Sequence, residues 1–335
     1  MSDTALPCVA VLLGDPAGVG PEMGVKLLAR VAAGAPARLL LVAPRSLLAG
    51  GERIAGMRLD VLPVTEAGAL RFEPGRITHL VLAEPEGPAP LGACSEAAGR
   101  AALQALAAAT ALARAGRVQA MVYAPLNKHS LRLAGMQEED ELRYLQALFG
   151  VRGFTCEFNV TGGLWTSRVT SHVPLREVAA LITQEAVGDA VHITDATLRR
   201  AGIARPRIAV SGLNPHAGDS GSIGHEEIDV IAPAVERLKR DGMNASGPWS
   251  PDTVFIAARR GDFDAVVSMY HDQGQIAMKL MGFWRGVTVH GGLPVPIATP
   301  AHGTAFDIHG QGRADVGATQ KAFDIVVRMA QDRLS

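Results

Sequence analysis

The chain has 335 residues and a formal net charge of −1, and 48% of its residues are hydrophobic against 19% charged. At roughly 100–200 residues per domain, this composition predicts about two globular domains and excludes an intrinsically disordered chain. The balanced charge and the aromatic content of 4% disfavour nucleic-acid binding through phosphate contacts or base stacking.

The first residues show no secretory signal. The segment Met1–Leu13 carries Asp3 where a signal peptide has basic residues, and it leads into Gly14-Asp15-Pro16 instead of a cleavage site. The sequence has no run of about 18 apolar residues, so no membrane span is predicted. Three widely spaced cysteines without a CxxC pair favour a reducing compartment. We therefore expect a cytoplasmic protein without a membrane or nucleic-acid partner.

Short apolar runs rich in Val, Ile and Leu recur along the chain, and they are continuous rather than alternating, as in strands buried on both faces of a sheet. The predicted strands are Val9–Leu13, Arg38–Ala43, His79–Ala83, Gln119–Tyr123, Arg207–Ser211, Ala265–Met269 and Val287–Val289. The predicted helices are Ser95–Ala115, Ala186–Ala201, Glu226–Asp241 and Gly317–Arg333. Strands that alternate with helices predict an α/β fold with a mainly parallel sheet.

A glycine-rich turn follows the first predicted strand. It contains Gly14, Asp15, Gly18 and Gly20, and Pro21 is suited to the first turn of a helix. Its free N–H groups could face a ligand, although the spacing is not GxGxxG. A ligand-binding turn and a purely structural strand-to-helix turn are both consistent with this segment.

Three histidines lie in loops: His172, His216 and His271, of which the last two come just after predicted strands. In open α/β sheets, ligands bind at the carboxyl ends of the strands. Three imidazoles with open positions would form a catalytic site for a divalent metal, zinc above all. The separations of the histidines match no compact metal motif, so the residues alone leave a structural role equally open.

A second glycine-containing loop lies near the C-terminus. It comprises His302, Gly303, Thr304, Ala305 and Asp307 and precedes the last predicted helix. Such a loop could hold a nucleotide, or it could be stabilised by its own polar groups.

Six segments together resemble the landmarks of the 4-hydroxythreonine-4-phosphate dehydrogenase (PdxA) family of pyridoxine biosynthesis, in the same order along nearly the whole chain. They are Gly14–Glu22, Ala124–Lys128, Asn214–Gly218, Tyr270–Gly274, Gly291–Pro294 and His302–Ala305. The loop His302–Asp307 is also similar to the adenosine-side loop of isopropylmalate and isocitrate dehydrogenases.

The resemblance implies a two-domain α/β fold like that of isocitrate and isopropylmalate dehydrogenases, with the active site in the interdomain cleft. We expect one discontinuous domain of residues 1–130 and 290–335, which includes the nucleotide-side loops. The second domain, residues 131–289, would carry the metal ligands and the dimer contacts. The resemblance also implies a homodimer whose metal sites take ligands from both subunits.

The same resemblance implies an oxidoreductase that acts on a CH–OH group. It assigns His172, His216 and His271 as ligands of a divalent metal, with zinc first and magnesium or cobalt as alternatives. A bound metal would lower the pKa of the substrate hydroxyl, and the β-keto acid formed would lose CO₂ readily. Lys279 would contact the substrate, and Asp272 would orient the site or move a proton.

The expected cofactor is NAD or NADP, lying along the cleft. His302, Gly303, Thr304, Ala305 and Asp307 would then lie on its adenosine side. The cofactor itself supplies the redox chemistry, because the nicotinamide ring accepts the hydride.

The sequence departs from the family at four predicted substrate positions. Glu141 and Leu142 stand where the family has a His-Thr pair, Thr288 replaces an Asn, and Ile297 replaces a phosphate-binding Arg. Loss of an Arg removes a strong bidentate phosphate contact, and Glu141 would repel a phosphate. The metal and cofactor residues are therefore retained while the substrate pocket is altered.

These departures leave three hypotheses. The substrate is 4-phosphohydroxy-L-threonine or a close phosphorylated acid such as 4-phosphothreonate. Alternatively, it is unphosphorylated, such as a carboxylated cis-dihydrodiol of the terephthalate type or another hydroxy acid. The hypothesis from another class is a non-catalytic small-molecule binder, which the retention of all three histidines disfavours.

Overall fold

A computed structural model describes residues 6–87, 89–282 and 285–332. The first residues of the segment Met1–Leu13 and the predicted helix end at Arg333 lie outside these ranges. The chain forms two compact units, one of residues up to Arg152 and from Leu293 onward, the other Gly153–Gly292. No described helix is both long and apolar enough to span a membrane.

The strands are β1 Cys8–Leu12, β2 Arg38–Pro44, β3 Val61–Val64, β4 Ile77–Leu82, β5 Ala120–Tyr123, β6 Cys156–Thr161, β7 Leu164–Arg168, β8 Ile208–Ser211, β9 Ala245–Trp249, β10 Ala265–Ser268, β11 Val287–Gly291 and β12 Ile297–Pro300. The helices are α1 Gly20–Val31, α2 Arg45–Ala55, α3 Glu96–Arg114, α4 Lys128–Leu133, α5 Glu141–Phe149, α6 Leu175–Leu181, α7 Gln184–Arg200, α8 Ala232–Arg240, α9 Val254–Arg259, α10 His271–Gly282 and α11 Gly317–Gln331. The predicted α/β class is confirmed.

The sheet of the first unit is entirely parallel, in the order β3-β4-β2-β1-β5-β12. Its central strands β1 and β2 are buried on both faces, which explains their continuous apolar sequences. The helix α3 packs on this sheet, and its Leu106 shares a core with Met121 of β5. The resulting apolar layer fixes the carboxyl ends of β1, β2 and β4 at one edge.

The sheet of the second unit has the order β11-β6-β7-β10-β8-β9. The pairs β11·β6 and β6·β7 are antiparallel, whereas β7, β10, β8 and β9 run parallel. Strands β6 and β7 form a hairpin. An ion pair links the two strands, with Arg168 Nη2 3.0 Å from Glu157 Oε2. This mixed sheet places the ends of β7, β10 and β8 side by side.

The segment 131–152, which the sequence analysis assigned to the second domain, lies in the first unit. Its helix α5 packs against α3, and both Leu142 and Leu145 belong to the same apolar core as Leu106. These buried contacts move the boundary to Arg152. The predicted helix Glu226–Asp241 also differs: one turn of π-helix, Glu227–Ile231, precedes α8.

Candidate functional site

Three histidine-bearing loops follow neighbouring parallel strands of the second unit, and the loop after β10 ends at His271, which is the first residue of α10 and not a loop residue as predicted. His172 follows β7, His271 follows β10, and His216 follows β8. Because β10 pairs in parallel with both β7 and β8, the three loops leave the sheet at the same edge. This edge is where open α/β sheets bind their ligands.

His172 and His271 lie side by side. Hydrogen bonds to Met269 O from Thr170 N at 3.1 Å and from Thr170 Oγ1 at 2.8 Å tie their loops together. The ring centroids are 5.5 Å apart, with the planes tilted by 41°. Such a spacing allows two imidazoles to bind one ion from adjacent directions.

Two neighbours of His271 hold this loop in place. Asp272 Oδ1 lies 2.6 Å from His271 Nδ1, so a carboxylate accepts from one ring nitrogen and leaves Nε2 for a ligand. The amide of Gln273 accepts from Met269 N at 2.7 Å and donates to Gly212 O at 2.9 Å. Gln273 therefore links the end of β10 to the end of β8.

His216 lies in a left-handed turn. Five successive residues, His216 to Ser220, have φ values between 43° and 81°, and only Gly218 among them is a glycine. Each of the others costs about 1–2 kcal/mol relative to right-handed backbone. Contacts from elsewhere in the unit must therefore stabilise the turn.

The His216 side chain is 68% exposed, and its Nδ1 lies 4.0 Å from Asp252 Oδ2, too far for a hydrogen bond. Within the described ranges, no group of ligand atoms lying within 4.8 Å of one another contains His172, His216 and His271 together. Within one chain, a ring contact joins His172 and His271, and the three predicted ligands form no single cluster among the described residues.

The predicted substrate residues are divided between the units. In the second unit, Lys279 is exposed on α10, eight residues after His271, and Thr288 lies opposite Asn159 in the β11·β6 pair. The first unit carries the other three: Glu141 and Leu142 lie in α5, and Ile297 lies in β12. Glu141 begins α5, whereas Leu142 and Ile297 are buried in the apolar core. Those last two side chains therefore present no surface to solvent.

The two glycine-containing loops of the first unit meet. A Cβ at Gly18 would lie 2.7 Å from Thr304 O, and Val19 N donates to the same oxygen at 3.0 Å. His309 Nδ1 is 2.7 Å from Gly18 O. The structure therefore brings the glycine-rich turn after β1 into contact with the loop His302–Asp307, which the family resemblance places on the adenosine side of the cofactor.

Close packing explains the other glycines of the turn. A Cβ at Gly14 would lie 2.5 Å from Ala124 O, and one at Gly20 would lie 2.1 Å from Leu13 O. Between them, Asp15 is buried, and this burial raises the pKa of its carboxyl although Ala17 N–H donates to Oδ1 at 2.8 Å. These contacts account for the turn structurally and leave a ligand role compatible with them.

The remaining residues of the C-terminal loop are less enclosed. Gly303 and Asp307 are exposed, and Thr304 is buried, while Ala305 has a φ of 46°. His302 Nδ1 lies 3.0 Å from Gly303 O. The loop thus has a buried anchor at Thr304 and polar groups that remain accessible.

A cavity of about 590 Å³ lies beside the glycine turn in the first unit. Its walls include Pro16, Pro21 and Leu47, and His309 and Arg53 are among its polar groups. A mainly apolar cavity of this size with few polar groups is typical of a small-molecule or cofactor site.

Two residues that shape these loops, Gln273 and Glu227, were not predicted from the sequence. Gln273 lies in a segment that carries the family resemblance, but its bridging role depends on Gly212 of another loop. Glu227 lies 11 residues beyond His216 in an ordinary helical pattern. Only the folded chain shows these contacts.

Solved structures share this architecture. The chain superposes on 4-hydroxythreonine-4-phosphate dehydrogenase from Klebsiella pneumoniae with a TM-score of 0.81 and 37% identity, covering 97% of this chain and 98% of that one. A terephthalate 1,2-cis-dihydrodiol dehydrogenase from Burkholderia xenovorans gives a TM-score of 0.69 and 28% identity, with coverage of 96% and 98%. The fold, together with relatives named as dehydrogenases over nearly the full length, defines an α/β oxidoreductase that acts on a CH–OH group.

The sequence comparisons narrow the class to a family. The profile described as "Pyridoxal phosphate biosynthetic protein PdxA" matches residues 37–326. A Pseudomonas aeruginosa protein named "Putative 4-hydroxythreonine-4-phosphate dehydrogenase 2" is 51% identical over 99% of this chain and 100% of its own length. The chain belongs to the PdxA family, which confirms the resemblance predicted from its motifs.

Proposed function

We propose that this chain is a divalent-metal-dependent dehydrogenase that transfers hydride from a hydroxy acid to NAD or NADP, with decarboxylation of the oxidised acid as the second step. The side-by-side imidazoles of His172 and His271, at the ends of two parallel strands, carry the proposal. The dehydrogenase names of the relatives favour it over the alternative of a non-catalytic binder.

The donor set fits a divalent transition metal. Neutral imidazoles suit zinc and cobalt, whereas magnesium prefers oxygen ligands. A bound ion would supply Lewis acidity that lowers the pKa of the substrate hydroxyl. Asp272 would fix the His271 ring, and the exposed ammonium group of Lys279 would bind an anionic substrate on the same helix.

We propose that two copies of the chain complete each metal site. His172 and His271 of one subunit would bind the ion together with His216 of the other subunit. The support is that His172 and His271 are in ring contact, whereas no cluster of ligand atoms in the described part of one chain joins all three histidines. A homodimer with shared ligands explains how three family-matching histidines can serve one ion.

The first unit would bind the dinucleotide. The contact between Gly18 and Thr304 joins the two candidate cofactor loops, and the adjacent cavity offers apolar walls for a flat ring. His302 and Asp307 would then contact the adenosine side. The bound nicotinamide would accept the hydride, while the chain's residues hold it in place and exclude water.

Two substrate classes remain in the proposal. Relatives named for phosphorylated threonine derivatives favour a phosphorylated acid. The Ile at position 297, where the family has a phosphate-binding Arg, favours an unphosphorylated one, as does the structural likeness to a terephthalate dihydrodiol dehydrogenase. A cytoplasmic location is part of the proposal and is supported by three free cysteines.

The test of the substrate is NAD(P)H formation with zinc, cobalt or magnesium on a matched panel. The panel holds 4-phosphohydroxy-L-threonine, 4-phospho-D-threonate, their dephosphorylated forms and a terephthalate-type cis-dihydrodiol. Turnover restricted to phosphorylated compounds would mean that other groups replace the lost Arg. Turnover restricted to unphosphorylated compounds would mean a catabolic acid substrate. A protein that binds no divalent ion would contradict the enzyme proposal.

Subunit complementation tests the shared site. The variants His172→Ala and His216→Ala should each lack turnover as homodimers. Mixing them with subunit exchange creates heterodimers in which one of two sites has all its ligands, so activity should return. Activity that stays absent, in heterodimers demonstrated by differential tags, would place all three ligands in one chain.

A further inference from the structure

A buried carboxylate holds the turn that carries His216. Glu227 Oε1 accepts from Leu213 N and from Asn214 N, both at 2.7 Å, and its Oε2 accepts from Asn214 Nδ2 at 2.9 Å. The residue is only 2% exposed. All three donors belong to the two residues that precede Pro215, so the carboxylate fixes the chain just before the histidine.

The same carboxylate also packs against the residues on both sides of the turn. A Cβ at Gly218 would lie 2.8 Å from Glu227 Oε2, and one at Gly212 would lie 3.0 Å from Oε1. Gly218 has a φ of +81° and its carbonyl accepts from Ile223 N at 3.1 Å. The Glu227 carboxylate therefore lies on the inside of the turn, in close contact with Gly218 within the turn and with Gly212 at the end of β8.

His216 has little else to fix its direction. Its side chain is mostly exposed, and the carboxylate of Asp252 is too distant for a hydrogen bond. The position of the imidazole consequently depends on the backbone of the left-handed turn. That backbone is strained at His216 and Ala217, so it needs the contacts that Glu227 supplies.

We propose that Glu227 is a positioning residue for His216: its carboxylate holds the left-handed turn in the one conformation that directs the imidazole at the metal. This inference rests on the proposed role of His216 as a ligand. It assigns no contact with the metal or the substrate to Glu227. Outer groups that orient metal ligands typically change metal affinity by about 10–100-fold when they are altered.

The variant Glu227→Gln tests this role at nearly constant volume. The amide oxygen can still face the two backbone N–H groups, but the new NH₂ group then meets the NH₂ group of Asn214, two donors with no acceptor between them. The zinc dissociation constant of the metal-free protein should rise about 10–100-fold. The visible absorption of the Co²⁺-loaded variant should also change, because this spectrum reports ligand geometry.

Glu226→Gln is the matched control. Glu226 accepts from the same Asn214 amide at 2.7 Å, but it bonds neither backbone N–H that Glu227 holds. Its zinc affinity should stay within about twofold of the wild type, since surface polar changes rarely exceed this effect. Thermal unfolding of the metal-free proteins shows whether each variant is folded.

The outcomes separate this inference from the proposed function. If His216→Ala weakens zinc binding while Glu227→Gln has the wild-type affinity and Co²⁺ spectrum, the positioning role is wrong and the ligand role stands. If His216→Ala binds zinc like the wild type, the ligand role itself is wrong. If Glu227→Gln does not fold, Asn214→Ala decides: it removes the side-chain bonds to Glu226 and to Glu227, whereas Glu226→Gln alters the Glu226 bond alone. A zinc affinity of Asn214→Ala equal to that of Glu226→Gln would overturn the inference.

Discussion

Replacement of Ile297 by arginine is expected to destabilise the first unit and not to create a phosphate site. Ile297 is 0% exposed, begins β12 and pairs with Met121 of β5 inside the apolar core. Truncation of such a side chain costs about 2–5 kcal/mol for Ile→Ala and about 0.5–1.5 kcal/mol for Ile→Val. Ile297→Arg should cost more than Ile297→Ala, because it would place a charged guanidinium inside a cluster of buried hydrophobic residues.

The Tm of the Ile297→Val, Ile297→Ala and Ile297→Arg variants is measured by thermal unfolding followed by circular dichroism. For a unit of this size, 1 kcal/mol shifts the Tm by about 2–4 °C, so Ile297→Ala should lower it by about 4–20 °C. Leu133→Arg is the control, because Leu133 ends α4 with 47% of its surface exposed. An Ile297→Arg protein that melts within about 2 °C of the wild type and gains kcat/KM toward phosphorylated acids would refute the burial argument.

Three further variants test other contacts. Asp272→Asn should weaken zinc binding by about 10–100-fold, as measured by chelator competition, since the carboxylate no longer accepts from the adjacent imidazole; unchanged affinity would rule out an orienting role. Gly18→Ala places a methyl group 2.7 Å from Thr304 O, so KM for NAD or NADP should rise while zinc affinity stays constant. An unchanged KM for both cofactors would show that this turn does not contribute to cofactor binding. The side-chain hydrogen bond from Arg207 holds the pKa of Asp264 below its ordinary 3.8, so the pair stabilises the fold above that pH and this contribution is lost on acidification. Asp264→Asn should therefore be less stable than the wild type in urea at neutral pH, with a gap that narrows below about pH 4; a gap independent of pH would contradict the linkage.

Buried parallel strands were the most predictable part of the fold. Six predicted strands match the parallel strands β1, β2, β4, β5, β8 and β10 within two residues at either end, and a seventh matches the antiparallel β11 equally closely. Their continuous apolar sequences need no knowledge of the rest of the chain. The hairpin β6·β7 was missed, because Glu157 and Arg168 interrupt the apolar pattern and are compensated only by each other across the hairpin.

The functional edge of the second unit was predictable only in part. A histidine that follows a buried strand can be placed at the carboxyl edge of a parallel sheet from sequence, as for His216 and His271. The left-handed conformation of the turn after Pro215 could not be predicted from the sequence, because the carboxylate that holds this segment belongs to Glu227, 11 residues beyond His216. The substrate contacts could not be predicted from the sequence either, because the alignment of Ile297 with a family Arg does not show whether its side chain is buried.

The discontinuity of the first unit has a consequence for biosynthesis. Its sheet lacks β12 and its core lacks α11 until the ribosome has translated the residues beyond Leu293. The second unit, by contrast, is one uninterrupted stretch, Gly153–Gly292, and all its strands are available earlier. Since domains generally fold as units during synthesis, the nascent chain should form the histidine-bearing unit first and leave residues up to Arg152 with an open strand edge at β5 meanwhile. The unpaired backbone groups of that edge could pair with another chain, so we expect the nascent polypeptide to need chaperones until β12 is made.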